Sequence, residues 1–128
     1  MVEAATNFRK SGFNNADSAM LAQVAAQYQN IADTAVSAGD AAASITSQIR
    51  AFGEDASFAT TVINAYNEVA NRFSVGTNDI SNAMEIASSG MATYGNSFEY
   101  VIGLVTAGTE NHAGTRVSGC AWFIYYCR

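Results

Sequence analysis

The chain has 128 residues, no proline, 13% charged residues and a formal net charge of −5. A nucleic-acid surface needs clustered Lys and Arg, but the six basic residues are scattered, so we expect no recognition of nucleic-acid sequence. An alanine-rich chain without proline favours helix, because alanine loses no side-chain entropy there.

Capping residues and apolar spacing predict three helices in the first half of the chain. The first covers residues 2–10 and is closed by Gly12. Residues 14–18 are rich in capping oxygens and begin the second, whose apolar positions are Met20, Val24, Tyr28, Ile31 and Ala35. Residues 37–40 precede a third helix that ends at Gly53 and carries Ala41, Ile45, Ile49 and Phe52 on one face.

The fourth helix is predicted to start near Asp55 or Ser57. Its apolar stripe is most simply part of a core. The stripe consists of Phe58, Val62, Ala65, Val69 and Phe73.

Thr77 is placed to cap a fifth helix, which Gly95 closes. One face of this helix carries Ile80, Met84, Ala87 and Met91. Asn96 and Glu99 have the spacing of a capping box at the start of a sixth helix. That helix bears Phe98, Val101, Ile102 and Val105.

These signals predict an all-α fold of about six short-to-medium helices in helix-turn-helix order, forming a bundle or extended helical hairpins. Residues 88–90, Ser-Ser-Gly, are a soft spot inside the fifth helix, where the chain either kinks or crosses another helix closely. The small residues Ala83, Ala87 and Ala92 favour a close crossing.

Catalytic and metal-binding motifs are missing from the sequence. His112 is the only histidine, and with Cys120 and Cys127 it lacks the spacing of a zinc site. Glu54 and Asp55 precede a helix, where they offset its dipole. No phosphate-binding glycine motif occurs. We therefore expect no enzymatic activity, no catalytic residues, no cofactor and no metal.

Three segments carry a resemblance to a known family. They are SAGDAAASITSQIRAF at residues 37–52, NEVANRFSVGTNDISNAM at 67–84 and GNSFEYVIGLVTAGTE at 95–110. In this order and spacing they resemble the core region of tape measure proteins of long-tailed bacteriophages and prophages. The resemblance covers about residues 2–110, and such proteins are several times longer than this chain, so we expect a truncated fragment.

The resemblance implies a structural component of a phage or prophage tail that scaffolds assembly of the tail tube and sets tail length. It implies tail tube subunits and tail assembly chaperones as partners. The chain would lie in the host cytoplasm during synthesis and in the lumen of the virion tail after assembly. No catalytic residue is transferred by the resemblance.

We also expect self-association through the stripe of Phe58, Val62, Val69 and Phe73 on the fourth helix. The candidate interaction residues are Phe58, Val62, Val69, Phe73, Ile80, Met84 and Met91.

Two other functional interpretations remain open at this point. The chain could be a membrane-active helical segment that contacts the host membrane during genome ejection, although its acidity opposes binding to anionic lipid. It could also be an unrelated α-helical interaction domain, or an α-bundle with an enzymatic or ligand-binding pocket.

The last residues, 111–128, differ in composition from the rest. They contain the only His and Trp and both Cys. We therefore divide the chain into a tape-measure-like helical region, 1–110, and an atypical tail, 111–128, that we expect to be translated out of the ancestral frame or joined on. The alternative is a divergent segment that packs its aromatic side chains on the bundle.

Overall fold

The computed structural model describes residues 2–73 and 75–111. All regular structure in these two ranges is α-helical, so the all-α prediction is confirmed. The helices are α1 (Val2–Lys10), α2 (Asn15–Ile31), α3 (Ala38–Phe52), α4 (Phe58–Arg72), α5 (Thr77–Thr93) and α6 (Phe98–Asn111).

Side-chain caps begin α2 and α3 where the sequence predicts them. The Asp17 backbone N–H donates to Asn14 Oδ1 over 2.8 Å, and the Asp40 N–H donates to Ser37 Oγ over 3.0 Å. In both cases the capping side chain also donates to the carboxylate of that Asp. A cap satisfies one of the backbone donors left open at a helix start, and an acid there favours the helix dipole.

The end of α2 differs from the prediction, because the helix stops at Ile31 and does not reach Ala35. Ala32 still donates its N–H to the Tyr28 carbonyl, but its ψ of 137° is that of extended chain. Residues 32–37 therefore form a connection outside any helix. Asp33 and Thr34 in this connection contact the start of α5.

The helices form a bundle with α3 at its centre. α3 packs against α1, α2, α4 and α5, while α6 packs mainly against α5. The structure is therefore a bundle and not a set of extended hairpins. Large side chains with almost no exposure form its core, among them Phe8, Leu21, Ile45, Tyr66, Ile80, Met84 and Val101.

The buried face of α4 is rotated from the predicted stripe. Its buried residues are Ala59, Val62, Ile63 and Tyr66. Val62 belongs to both faces, so apolar spacing alone does not choose between them. Packing against α2 and α3 chooses the side with the bulky Tyr66. Phe73 follows the last residue of α4 and is 45% exposed.

The connection between α5 and α6 is also capped differently from the prediction. Gly95 has a φ of 81°, which residues with a side chain rarely adopt, so it ends α5 as predicted. Ser97 Oγ, and not Asn96, accepts from the first turn of α6, from the N–H of Tyr100 over 3.3 Å. Asn96 instead donates its side-chain amide to the Met91 carbonyl over 2.9 Å.

The soft spot in α5 contacts α3 through its first residue, Ser88. α5 continues as a helix through residues 88–90. Ser88 is 0% exposed and faces α3, whereas Gly90 is exposed and a side chain there would meet nothing within 4 Å. The small serine, and not the glycine, therefore lies where the helices meet.

Candidate functional site

Most of the candidate interaction residues lie in the core of their own chain. Val62, Ile80 and Met84 are 0% exposed, and Met91 is 6% exposed. Phe58 and Val69 are partly buried against this core. These side chains are occupied by contacts within the bundle, so they are not available as a surface while this fold persists. Of the set, only Phe73 is largely exposed, and its role in self-association stays a prediction.

A row of polar side chains lies buried between α3 and α5. We call Ser44, Gln48, Ser81 and Ser88 the polar seam. The Ser44 and Ser81 hydroxyls share a hydrogen bond of 2.7 Å, and Ser88 Oγ donates to Gln48 Oε1 over 2.7 Å. All four side chains are at most 3% exposed. Buried polar groups need such partners, because water no longer supplies them.

The spacing of these residues explains why they meet. Ser44 and Gln48 are four residues apart on α3, and Ser81 and Ser88 are seven residues apart on α5, so each pair shares one helix face. Both hydrogen-bonded contacts advance in the same chain direction, which makes α3 and α5 parallel. The polar seam could not be predicted from the sequence, because serines at helical spacing are indistinguishable from an exposed polar stripe.

Two tyrosines border the polar seam from α2 and α4. The rings of Tyr28 and Tyr66 meet edge to face with centroids 6.1 Å apart. Burial raises the pKa of both phenols above their ordinary value. The Tyr66 hydroxyl lies near Ser44 without forming a hydrogen bond of ordinary geometry to any described group.

Two exposed acidic residues lie one helical turn from residues of the polar seam. Glu85 follows Ser81 by four residues on α5, and Asp40 precedes Ser44 by four residues on α3. Partial burial raises the pKa of the Glu85 carboxyl, the Ser44 side chain opposes that rise, and the negative charge of Asp40 adds to it. Glu85 is exposed and forms no ion pair with a basic side chain of the described residues.

Three phenylalanines join the ends of three helices on another side of the bundle. Phe98 at the start of α6 lies edge to face with Phe52 of α3 and Phe58 of α4, with centroids 5.5 Å and 5.2 Å apart. Such contacts add to the free energy of burial. Phe58 therefore helps to hold α6 on the bundle.

A carboxylate from the α2–α3 connection caps α5. The Thr77 backbone N–H donates to Asp33 Oδ2, and the Asn78 side-chain amide donates to Thr34 Oγ1. A Cβ at Gly76 would lie 2.6 Å from Asp33 Oδ2, so glycine permits this close approach. The prediction that Thr77 is the cap is wrong, because Thr77 is the first residue of α5 and its side chain is buried.

Beside Val2 and Phe73, three large apolar side chains are exposed in the second half of the described chain. Ile86 is 59%, Tyr94 77% and Tyr100 57% exposed. Ile86 lies on α5, Tyr94 immediately follows that helix, and Tyr100 lies on α6. Residues 75–109, which include all three, contain no basic side chain.

The described ranges contain neither a metal-binding cluster nor a membrane-spanning helix. No group of three or more His, Cys, Asp or Glu side chains there is arranged to hold a metal ion. None of the six helices is long and apolar enough to span a membrane. The predictions that concern His112, Cys120, Cys127 and the frame of residues 112–128 lie outside the described residues.

Comparison of the chain with protein-family models, with curated proteins and with solved structures finds no match in any of the three.

Proposed function

We propose that the chain is a segment of a bacteriophage or prophage tail protein of the tape measure kind, which scaffolds the tail tube and sets tail length. The observation that carries the proposal is the resemblance of residues 67–84 and 95–110 to that family. Tail tube subunits and tail assembly chaperones are the proposed partners, the tail lumen is the proposed location, and no catalytic role is proposed.

The positions of the family-like segments on the fold support a structural role for them. Residues 67–84 include the end of α4 and the start of α5, where Thr77 and Asn78 bond to the α2–α3 connection. Residues 95–110 include Phe98, which joins α6 to α3 and α4. The segments that carry the resemblance therefore supply the contacts that hold the last two helices on the bundle.

The length that this segment would add to a tail depends on whether it is an extended helix or a packed bundle. A continuous helix of 110 residues would extend about 165 Å at 1.5 Å per residue. The longest helices of the bundle have 17 residues and therefore span about 26 Å. If this segment stayed folded in the tail lumen, each of its residues would therefore add much less to the tail length than a residue of an extended helix.

Deletion of residues 2–111 in a phage that carries this chain tests the proposal. Tails measured by electron microscopy should shorten by about 26 Å if the segment acts as a folded module, or by about 165 Å if it acts as an extended helix. Gly103→Ala, which keeps the chain length, is the control and should leave tail length unchanged. Unchanged tails after the deletion would contradict a role in setting length.

The genes beside this one give a second test. Genes for tail tube subunits and tail chaperones upstream, and baseplate genes downstream, are expected. A neighbourhood without any tail gene would contradict the assignment to a phage tail.

A further inference from the structure

The last two helices form a hairpin that follows a single connection to the rest of the described bundle. α6 packs mainly against α5, and its Phe98 ring also reaches α3 and α4. α5 in turn packs against α3 and α4. Every contact that holds this hairpin on the other four described helices therefore joins residues on opposite sides of the α4–α5 connection.

The connection between α4 and α5 is short and extended at both ends. α4 ends at Arg72 and α5 begins at Thr77, which leaves residues 73–76 between them. Phe73 has a φ of −125° and a ψ of 157°, and Gly76 has a φ of −79° and a ψ of 148°. Both pairs of angles belong to extended backbone. Short connections favour the exchange of an element between two copies of a chain, because they give the element little length in which to fold back.

The contact between α3 and α5 contains groups that water can also satisfy. Ser44 and Ser81 share a hydrogen bond of 2.7 Å, and Ser88 donates to Gln48 over 2.7 Å. When the helices separate, these groups can bond to water, so separation costs less than for an apolar contact of equal area. The buried Gln48 Nε2 forms no hydrogen bond with the described residues, and it too can bond to water on separation. The polar seam is therefore a contact along which the bundle can open.

The outer surface of the bundle is poorly suited to association between copies. The chain has a net charge of −5, so the surfaces of two copies repel each other. The candidate interaction residues on α5, Ile80, Met84 and Met91, are at most 6% exposed. They can contact a second copy only if α5 leaves the core of its own bundle.

We propose that two copies of this chain associate by exchanging their α5–α6 hairpins, with residues 73–76 as the hinge. Each polar seam then joins α3 of one copy to α5 of the other. Ile80, Met84 and Met91 of each copy lie in the core of the other copy. The contacts of the closed bundle are formed again between copies, so only the hinge changes its conformation. This inference does not depend on the proposed tail function.

Disulfide formation across the polar seam between two different chains tests the exchange. One chain carries Ser44→Cys and a heavy-isotope label, and the other carries Ser81→Cys, because these two hydroxyls are 2.7 Å apart. Cys120 and Cys127 are replaced by Ser in both. After joint refolding in a glutathione redox buffer, mass spectrometry should detect the covalent heterodimer. Ser89→Cys, at an exposed position of α5, is the control and should give at least about tenfold less product with the same Ser44→Cys chain.

The cross-linking result has a clear contrary outcome. A single chain with both seam cysteines should cross-link within itself when the bundle is closed. If that chain cross-links while the mixed chains give no heterodimer, each hairpin stays in its own bundle and the proposal is wrong.

Lengthening the hinge gives a second test that keeps every core residue. An insertion of about four Gly and Ser residues after Phe73 gives the hairpin room to fold back, so it should raise the dimer dissociation constant at least about tenfold by sedimentation. The same insertion after Glu54, in the exposed α3–α4 connection, should leave this constant unchanged. Equal effects of the two insertions, or a wild type that stays monomeric up to about 1 mM, would overturn the proposal.

Discussion

Ser88 on α5 donates its hydroxyl to the Gln48 side-chain carbonyl on α3 over 2.7 Å, and both side chains are 0% exposed. The bond joins two helices that are separated by α4 in the chain. A buried acceptor that loses this donor cannot form a hydrogen bond with water instead, so the free energy of unfolding falls. Replacing a surface serine changes that free energy little.

Ser88→Ala is expected to lower the free energy of unfolding by about 1–3 kcal/mol, since it leaves Gln48 Oε1 buried without this donor. Ser89→Ala, one residue further on and exposed, should change it by less than about 0.5 kcal/mol. Urea denaturation measures both. Adding Gln48→Met to Ser88→Ala should recover part of the loss. Equal effects of the two serine variants would show that the seam is not a stabilising contact.

Asp33→Ala should lower the free energy of unfolding by about 1–2 kcal/mol, because it removes the acceptor that caps α5 at Thr77. Asp33→Asn keeps an acceptor oxygen in the same place and should lose less. Chemical denaturation followed by far-UV circular dichroism compares the two. If Asp33→Ala left the free energy of unfolding unchanged, Asp33 would not be the group that caps α5, and the Thr77 side chain predicted from the sequence would be the alternative.

Substituting Ala for two glycines should change the stability of the chain in opposite directions. Gly103 is exposed inside α6, and a side chain there would meet nothing within 4 Å, so Gly103→Ala should stabilise the chain by about 1 kcal/mol through helix propensity. Gly95 has a φ of 81°, so Gly95→Ala should destabilise it by about 1 kcal/mol. Thermal melts at one pH measure both signs. A loss of stability in Gly103→Ala would show that the outer face of α6 is covered.

Phe98→Ala is expected to lower the free energy of unfolding by about 3–5 kcal/mol, because Phe98 is 4% exposed and contacts two other rings. Phe73→Ala, at a side chain that is 45% exposed, should lose less than about 1 kcal/mol.

Sedimentation of the same two variants separates folding from self-association. If chains associate through Phe73, its replacement should shift the sedimentation coefficient toward that of a monomer without a matching loss of stability. An unchanged association in Phe73→Ala would remove the one largely exposed residue of the predicted surface from that role.

Much of the helix pattern could be predicted from local signals. Asn14 and Ser37 cap helices through donors three residues away, and Gly53 and Gly95 end helices through their own φ values. The core positions of α5, Ile80, Met84, Ala87 and Met91, also follow from apolar spacing. Local chemistry decides these features because all the interacting groups lie within one turn of each other.

The rest depends on groups that are far apart in sequence. Asp33 replaces Thr77 as the acceptor at the start of α5 across 44 residues, and on α4 Tyr66 is fully buried whereas Val69 is only partly buried. Most of the candidate interaction residues lie in the core. The sequence does not distinguish the two cases, because an apolar stripe has the same spacing whether it packs against its own chain or against another.

The sequence by itself determined the all-α class, most helix ends and the apolar positions of α5 and α6, because propensity, capping and periodicity are local. Only the tertiary structure decided that the helices form a bundle and that Ser44 and Gln48 meet Ser81 and Ser88. The physical reason is that burial, desolvation and hydrogen-bond pairing between distant segments depend on the packing of whole helices. A polar residue at helical spacing has no defined environment until that packing is known.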